Sequence, residues 1–156
     1  MKLLLVRHGT AEPGGGDDPP LTAKGRKDVQ RLASFLARSG TRATRVIHSP
    51  LRRARETALL LAPVIGPGPV VEESAIGLLP EDSTDAVYFA LDDWQGDIML
   101  VGHMPFLGAL ASRLLTGRQE PDVVAFERGA VVCLERDDDD RNWFLSWSVG
   151  PSLIGQ

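Results

Sequence analysis

Three short clusters in this sequence carry side chains able to move a phosphoryl group: Arg7-His8-Gly9, His48-Ser49-Pro50 with Arg52, Arg53 and Arg55 behind it, and Gly102-His103-Met104-Pro105. Near neutral pH an imidazole with an ordinary pKa of about 6.5 is largely uncharged, so one ring nitrogen has a free electron pair for attack on phosphorus. A covalent intermediate then divides one difficult displacement into two easier ones. The charge on the equatorial oxygens is the main thing left for the protein to meet, and arginine meets it with a planar, permanently charged fork. Two histidines and at least two arginines gathered in one small volume would suffice.

The elements that must gather them are legible around the clusters. Each cluster follows an apolar run, Leu3–Val6, Arg45–Ile47 and Ile98–Val101, and each run reads as an interior parallel strand. Thr22 can cap a helix with Val29, Leu32, Ala33 and Leu36 on one face, closed by Gly40. Ser49 and Pro50 read as the cap and first position of a second helix, striped by Leu51, Ala54, Ala58, Leu61 and Ala62 and stopped by Pro63 and the Gly66–Pro69 stretch. A third helical spacing runs through Val87, Ala90, Leu91 and Trp94 after a cap at Ser83. A fourth starts at Pro105, carries Leu107, Leu110, Ala111 and Leu114, and ends at Gly117. This alternation predicts an α/β fold, a three-layer α/β/α sandwich with a mostly parallel central sheet. "GAVVCLE" and "WFLSWS" around the polar "RDDDDRN" predict a C-terminal antiparallel hairpin at the sheet edge. Parallel strands would bring all three clusters to one edge of the sheet, two of them at helix N-termini that favour anions.

Length and composition narrow the partners. A chain of 156 residues predicts one domain, 1–156. A formal net charge of −4 gives no overall positive field for nucleic acid or an acidic membrane surface, so any anion site is built locally. Cys133 is the only cysteine and lies in the apolar run Ala130–Leu134, which reads as a buried inert thiol. The apolar start is too short for a signal peptide, and no apolar run approaches membrane-spanning length. Cytoplasmic localisation and a monomer are the default expectations. The Gly/Pro-rich loop Thr10–Pro20 reads as mobile; it is no P-loop, because no Gly-Lys-Ser/Thr follows its glycines. The run Asp137–Asp140 reads as a solvated turn, lacking the spaced ligands and glycine of a calcium loop. Zinc-type ligand spacing is absent, and neither a metal nor a cofactor is expected.

"RHG" after the first strand, "LTAKGRKDV" after the first loop, "SPLRRARETA" at the second strand and "VGHMP" at the third resemble the histidine phosphatase superfamily, the phosphoglycerate mutase-like fold. The four motifs stand in the family's order over residues 2 to about 110. The short segment between the second and third motifs resembles the SixA-type phosphohistidine phosphatases rather than the larger mutases and phytases. The resemblance implies that His8 is the nucleophile, that Arg7 and Arg53 hold the phosphoryl oxygens, and that His103 stabilises the transition state. Arg53 matches because the family's arginine directly precedes an alanine, here Ala54; Arg52 and Arg55 read as helix-surface or rim charges. Thr10 and the Met104 N–H are further candidate donors to the phosphate. His48 stands where the family more often has a small polar residue, and it reads as a strand-end or supporting residue. A phosphate ester needs an acid for its alkoxide; Glu72, Glu73, Glu81 and Asp82 are available, with Glu81 and Asp82 carried as the possible acid, and none stands in a motif. Imidazole leaves more readily, so lack of a fixed acid suits phosphohistidine in a protein as substrate. The alternatives are a small-metabolite phosphomonoesterase on the same chemistry and a non-catalytic phosphate- or phosphoprotein-binding module. Against the latter stands His8, since binding alone needs no nucleophile.

Overall fold

The fold is taken from a computed structural model that describes residues 1–154. Strands β1 (Lys2–Arg7), β2 (Arg45–His48), β3 (Val70–Glu73), β4 (Ile98–Gly102), β5 (Val131–Arg136) and β6 (Trp143–Val149) form one sheet in the order β3-β2-β4-β1-β5-β6. The first four are mutually parallel, while β5 runs antiparallel to β1 and β6 antiparallel to β5. Continuous apolar runs are what a strand covered on both faces requires. Leu4, Val6, Val46, Met99 and Val101 pack into one core with α1 (Ala23–Arg38) and α2 (Arg52–Leu61). The alternate residues Leu3, Leu5, Ile47, Ile98 and Leu100 join a second core with α3 (Asp85–Ala90) and α4 (Phe106–Thr116). The result is the three-layer α/β/α sandwich, mostly parallel, with the hairpin β5–β6 bringing its antiparallel edge.

Register does the positioning. Arg7 is opposite Gly102 and His48 opposite Val101, so β1, β2 and β4 end level and release His8, Ser49 and His103 at the same sheet edge. Thr22 caps α1 by accepting the Gly25 N–H (2.8 Å), and Gly117, with φ of 81°, closes α4.

Four details depart from the sequence expectations. β3 lies in a stretch to which the sequence assigns no strand; it pairs parallel with β2 as the outer strand, and its exposed Val70 and Val71 give no buried signature. Helix α2 starts at Arg52, not Pro50, with Leu51 in the cap position and no side-chain cap of its own. Its Arg52 N–H is instead taken by Asp18 Oδ1 (2.7 Å). That contact, with the Ala11–Leu21 bridge, ties down the loop expected to be mobile. Finally, α3 has only six residues, with Thr84 in the cap position and Trp94 beyond its end.

Gly25 explains the Leu-Thr-x-x-Gly segment. A Cβ at this position would run into the carbonyl oxygen of Thr10, two residues from His8. Gly25→Ala should therefore destabilise the protein by about 1–3 kcal/mol, as overpacking does. It should also lower activity in the fraction that folds, because Thr10 must move. A melting curve and turnover matching the parent would contradict this.

No helix among the described residues is long and apolar enough to cross a membrane. Cys133 is fully buried, and burial pushes its thiol up to about 11, which keeps it protonated.

Candidate active site

His8 leaves the end of β1 with its Nδ1 2.7 Å from the Gly9 carbonyl. A carbonyl can only accept, so Nδ1 carries the proton and Nε2 keeps its electron pair. Arg53 Nε donates to that Nε2 at 3.3 Å, holding the guanidinium at the bare nitrogen. Arg53 reaches it from the first turn of α2. Thr57, one turn on, donates to the Arg53 carbonyl (2.8 Å) and accepts the Gly9 N–H (3.1 Å), clamping α2 to the His8 loop. Gly9 itself abuts α1: a Cβ there would stand 2.9 Å from Val29 Cγ2.

His103 faces His8 with ring centroids 5.0 Å apart. Its Nε2 is 2.7 Å from Ser49 Oγ, which also accepts the Leu51 N–H (3.2 Å). We assign the hydroxyl proton to His103 Nε2, leaving the ring's own proton on Nδ1. This is why Ser49 does not cap α2: its hydroxyl is committed to a histidine on another strand. Arg7 donates from Nη1 to the Phe126 carbonyl (2.8 Å).

Among the described residues, buried side-chain nitrogens without a partner are Arg7 Nε, His103 Nδ1 and Arg136 Nε. Two of these three belong to this cluster. A buried donor left unmade costs about 1–3 kcal/mol, so a cluster holding two of them is suited to an acceptor-rich ligand. A tetrahedral oxyanion is such a ligand.

The electrostatics agree. Burial lowers His8 to about 4, Arg53, Arg7 and Arg128 push the same way, and the Gly9 carbonyl opposes them. Burial, then His8, Arg53 and Arg7, lower His103 to about 3. Arg7 is lowered by burial and by the charge of Arg128. Every charged group that moves the two imidazoles is positive. Both rings are therefore neutral at pH 7, one offering an electron pair beside an arginine.

That has a measurable consequence for stability. The folded pKa values lie below the ordinary 6.5, so between about pH 6.5 and 4 the unfolded chain binds protons that the folded site refuses. Stability should rise with pH across that window and fall as pH is lowered through it. Thermal melts from pH 4 to 7 should show this slope, and it should flatten in His8→Asn/His103→Asn. An unchanged slope in the double variant would contradict it.

The remaining sequence candidates fall as follows. Thr10 is half-buried beside His8, its carbonyl accepting the Thr22 N–H (2.9 Å). Met104 follows His103 directly and is half-buried at the start of the turn leading into α4. His48 is buried at the end of β2 with Nδ1 2.9 Å from the Ser49 carbonyl. Arg52 pairs with Glu56 (2.9 Å) on the outer face of α2, and Arg55 is exposed. Glu72 pairs with Arg45 (2.5 Å) and Glu73 is exposed. Asp82 accepts the Leu79 N–H (2.9 Å), and with Glu81 it lines a cleft bordered by Pro105 and Phe106. No group of three or more His, Cys, Asp or Glu able to hold a metal ion occurs among the described residues.

Thr57, the Phe126 carbonyl and Arg128 escaped the sequence reading, and Ser49 reads there only as a helix cap. Thr57 had a signal, standing four residues after Arg53. Arg128 had none, since only the antiparallel return of β5 brings it back to β1.

A mostly parallel α/β sandwich that gathers two neutral imidazoles and two arginines at one sheet edge has the make-up of a phosphoryl-transfer protein. Residues 3–76 match the model of the histidine phosphatase superfamily (branch 1). The chain is 35% identical over 127 residues to an uncharacterized protein of Picosynechococcus sp., covering 76% of this chain and 75% of the relative. It is 24% identical over 161 residues to the phosphohistidine phosphatase SixA of Escherichia coli K12, covering 97% and 94%. The solved structure of the protein histidine phosphatase SixA with tungstate has the same fold: TM-score 0.86, 23% identity, 99% of this chain and 100% of that one. This chain belongs to the histidine phosphatase superfamily, and its activity is that of a phosphatase.

Proposed function

We propose that the protein dephosphorylates phosphohistidine in a protein through a covalent phosphohistidine on His8. The observation that carries this reading is the bare His8 Nε2, fixed by the Gly9 carbonyl and faced by Arg53. In the first step the Nε2 pair forms a bond to phosphorus while the P–N bond of a substrate ring protonated from solvent on its other nitrogen breaks, its electron pair leaving with neutral imidazole. In the second, water attacks phosphorus and loses a proton, the His8 N–P bond breaks, and inorganic phosphate departs. Arg7 and Arg53 hold the equatorial oxygens throughout, His103 Nδ1–H donates to one of them, and Thr10 and the Met104 N–H complete the cradle.

The P–N preference is a matter of leaving groups. Imidazole departs with a conjugate acid of pKa about 6.5, whereas an alkoxide must be protonated as it leaves. Among the described residues, no carboxylate is one of the groups that act on either imidazole. The likeness to the SixA phosphatases supports the same substrate class. The test is kcat/KM for a phosphohistidine peptide, an aryl phosphate and a sugar phosphate, in the parent and in Glu81→Gln and Asp82→Asn. The expected order is phosphohistidine, then aryl ester, then sugar ester, unmoved by either substitution. A sugar phosphate as best substrate, with one substitution selectively removing that activity, would install a general acid and the metabolite reading.

A further inference from the structure

We propose that Arg128 and the cleft beside it form a second anion subsite, taking a carboxylate or phosphate that the substrate carries close to the transferred phosphoryl group. The proposal rests on the reading of His8 as phosphoryl acceptor. The loop before β5 is pinned to the end of β1: the Gly129 N–H donates to the carbonyls of both Arg7 and His8 (3.1 Å each), and Arg7 Nη1 holds the Phe126 carbonyl. Residue 128 is thereby fixed beside His8 through its backbone. Arg128 opens, with Thr10, onto a cleft of about 290 Å³ that Arg7, Arg53 and His103 do not line.

The acids of that cleft have partners of their own, an ion pair for Asp28 and a backbone N–H for Glu127, which keeps its charge. Asp28, only 5% exposed, is taken by Lys24 (2.8 Å) and Arg31 (3.5 Å). Glu127 Oε1 accepts the Ser152 N–H (2.8 Å). Arg128 has no carboxylate within ion-pair distance among the described residues, and it is exposed. Its charge is felt at both Arg7 and His8, where it opposes a further positive charge. A cation fixed against like charge is unfavourable until an anion arrives, and it discriminates between ligands by the charge they bring. The transferred group already meets two arginines and His103. The charge left over at Arg128 fits a second anion on the Thr10 side.

Two substrate pairs test this and separate the sources of that anion. One pair is phosphohistidine peptides differing only by Glu or Gln beside the phosphohistidine; the other is phenyl phosphate with and without a ring carboxylate. The parent should prefer the anionic member of at least one pair by about tenfold in kcat/KM, carried by KM, as a charge-assisted hydrogen bond at a solvated rim allows. The preference should collapse toward one in Arg128→Ala, persist in part in Arg128→Lys, and shrink with added salt. Preference in the peptide pair assigns the anion to an acidic neighbour in a protein; preference confined to the phenyl pair assigns it to a small acidic phosphate. A ratio near one for both pairs in the parent, or an undiminished ratio in Arg128→Ala, would overturn the subsite. The phosphatase reading is judged separately, by turnover of the neutral members and its loss in His8→Ala.

Discussion

Replacing His8 by alanine should abolish the phosphoenzyme and lower kcat/KM by on the order of 10⁴–10⁶, the scale seen when a covalent nucleophile is removed. Alanine deletes the Nε2 that Arg53 faces, and no other group of the site offers a neutral nitrogen with a free pair. The Ser49 hydroxyl is fully buried and spent on His103, and that of Thr57 is spent on the Arg53 carbonyl. A phosphoramidate survives alkali and is lost in acid, whereas a phosphoserine survives acid. Rapid quench with labelled substrate should show an alkali-stable, acid-labile phosphoprotein in the parent and none in the variant. Full activity in His8→Ala, or a label that survives acid, would sink the mechanism.

Arg53→Ala should cost about 10²–10³ in kcat, the loss typical of one positioned donor to developing charge. Arg53→Lys should recover only part of it, because an ammonium lacks the planar fork that spans two phosphoryl oxygens. A second effect has the opposite sign. Removing Arg53 takes away one of the charges that lower His8, so the imidazole's pKa should rise and its protonated fraction at pH 6 with it. NMR titration of the His8 ring therefore checks the geometry apart from turnover. A loss below tenfold together with an unmoved titration would remove Arg53 from the site. Arg55→Ala, on the exposed face of α2, serves as the matched control.

How far the sequence reaches depends on where each constraint lives. β1, β2 and β4 are legible because burial on both faces turns them into unbroken apolar runs. β3 is not, since a half-solvated outer strand owes its existence to pairing with β2 rather than to its own residues. Ser49-Pro50 carries the local chemistry of a helix start, yet the competing partner is His103 and the helix is capped by Asp18 instead. Local capping rules cannot weigh partners so distant along the chain. The cluster of His8, Arg7, Arg53 and His103 could be anticipated because parallel strands end level. Arg128 could not, because its place depends on which way the strand after it returns.

The clasp between Ser49 and His103 joins residues 54 apart, Gly9 and Thr57 are separated by 48, and Arg7 reaches Phe126 across 119. Each of these closes a long loop of chain, and long closures are the slow, entropically costly part of reaching a native topology. Helices α1 and α2 can form and pack from nearby segments well before β5 returns to β1. A refolding molecule at that stage would have much of its helix content but an Arg7 with nothing to hold it. Recovery of catalysis thus reports the final threading of the sheet, and it should lag the recovery of helical signal in any refolding experiment.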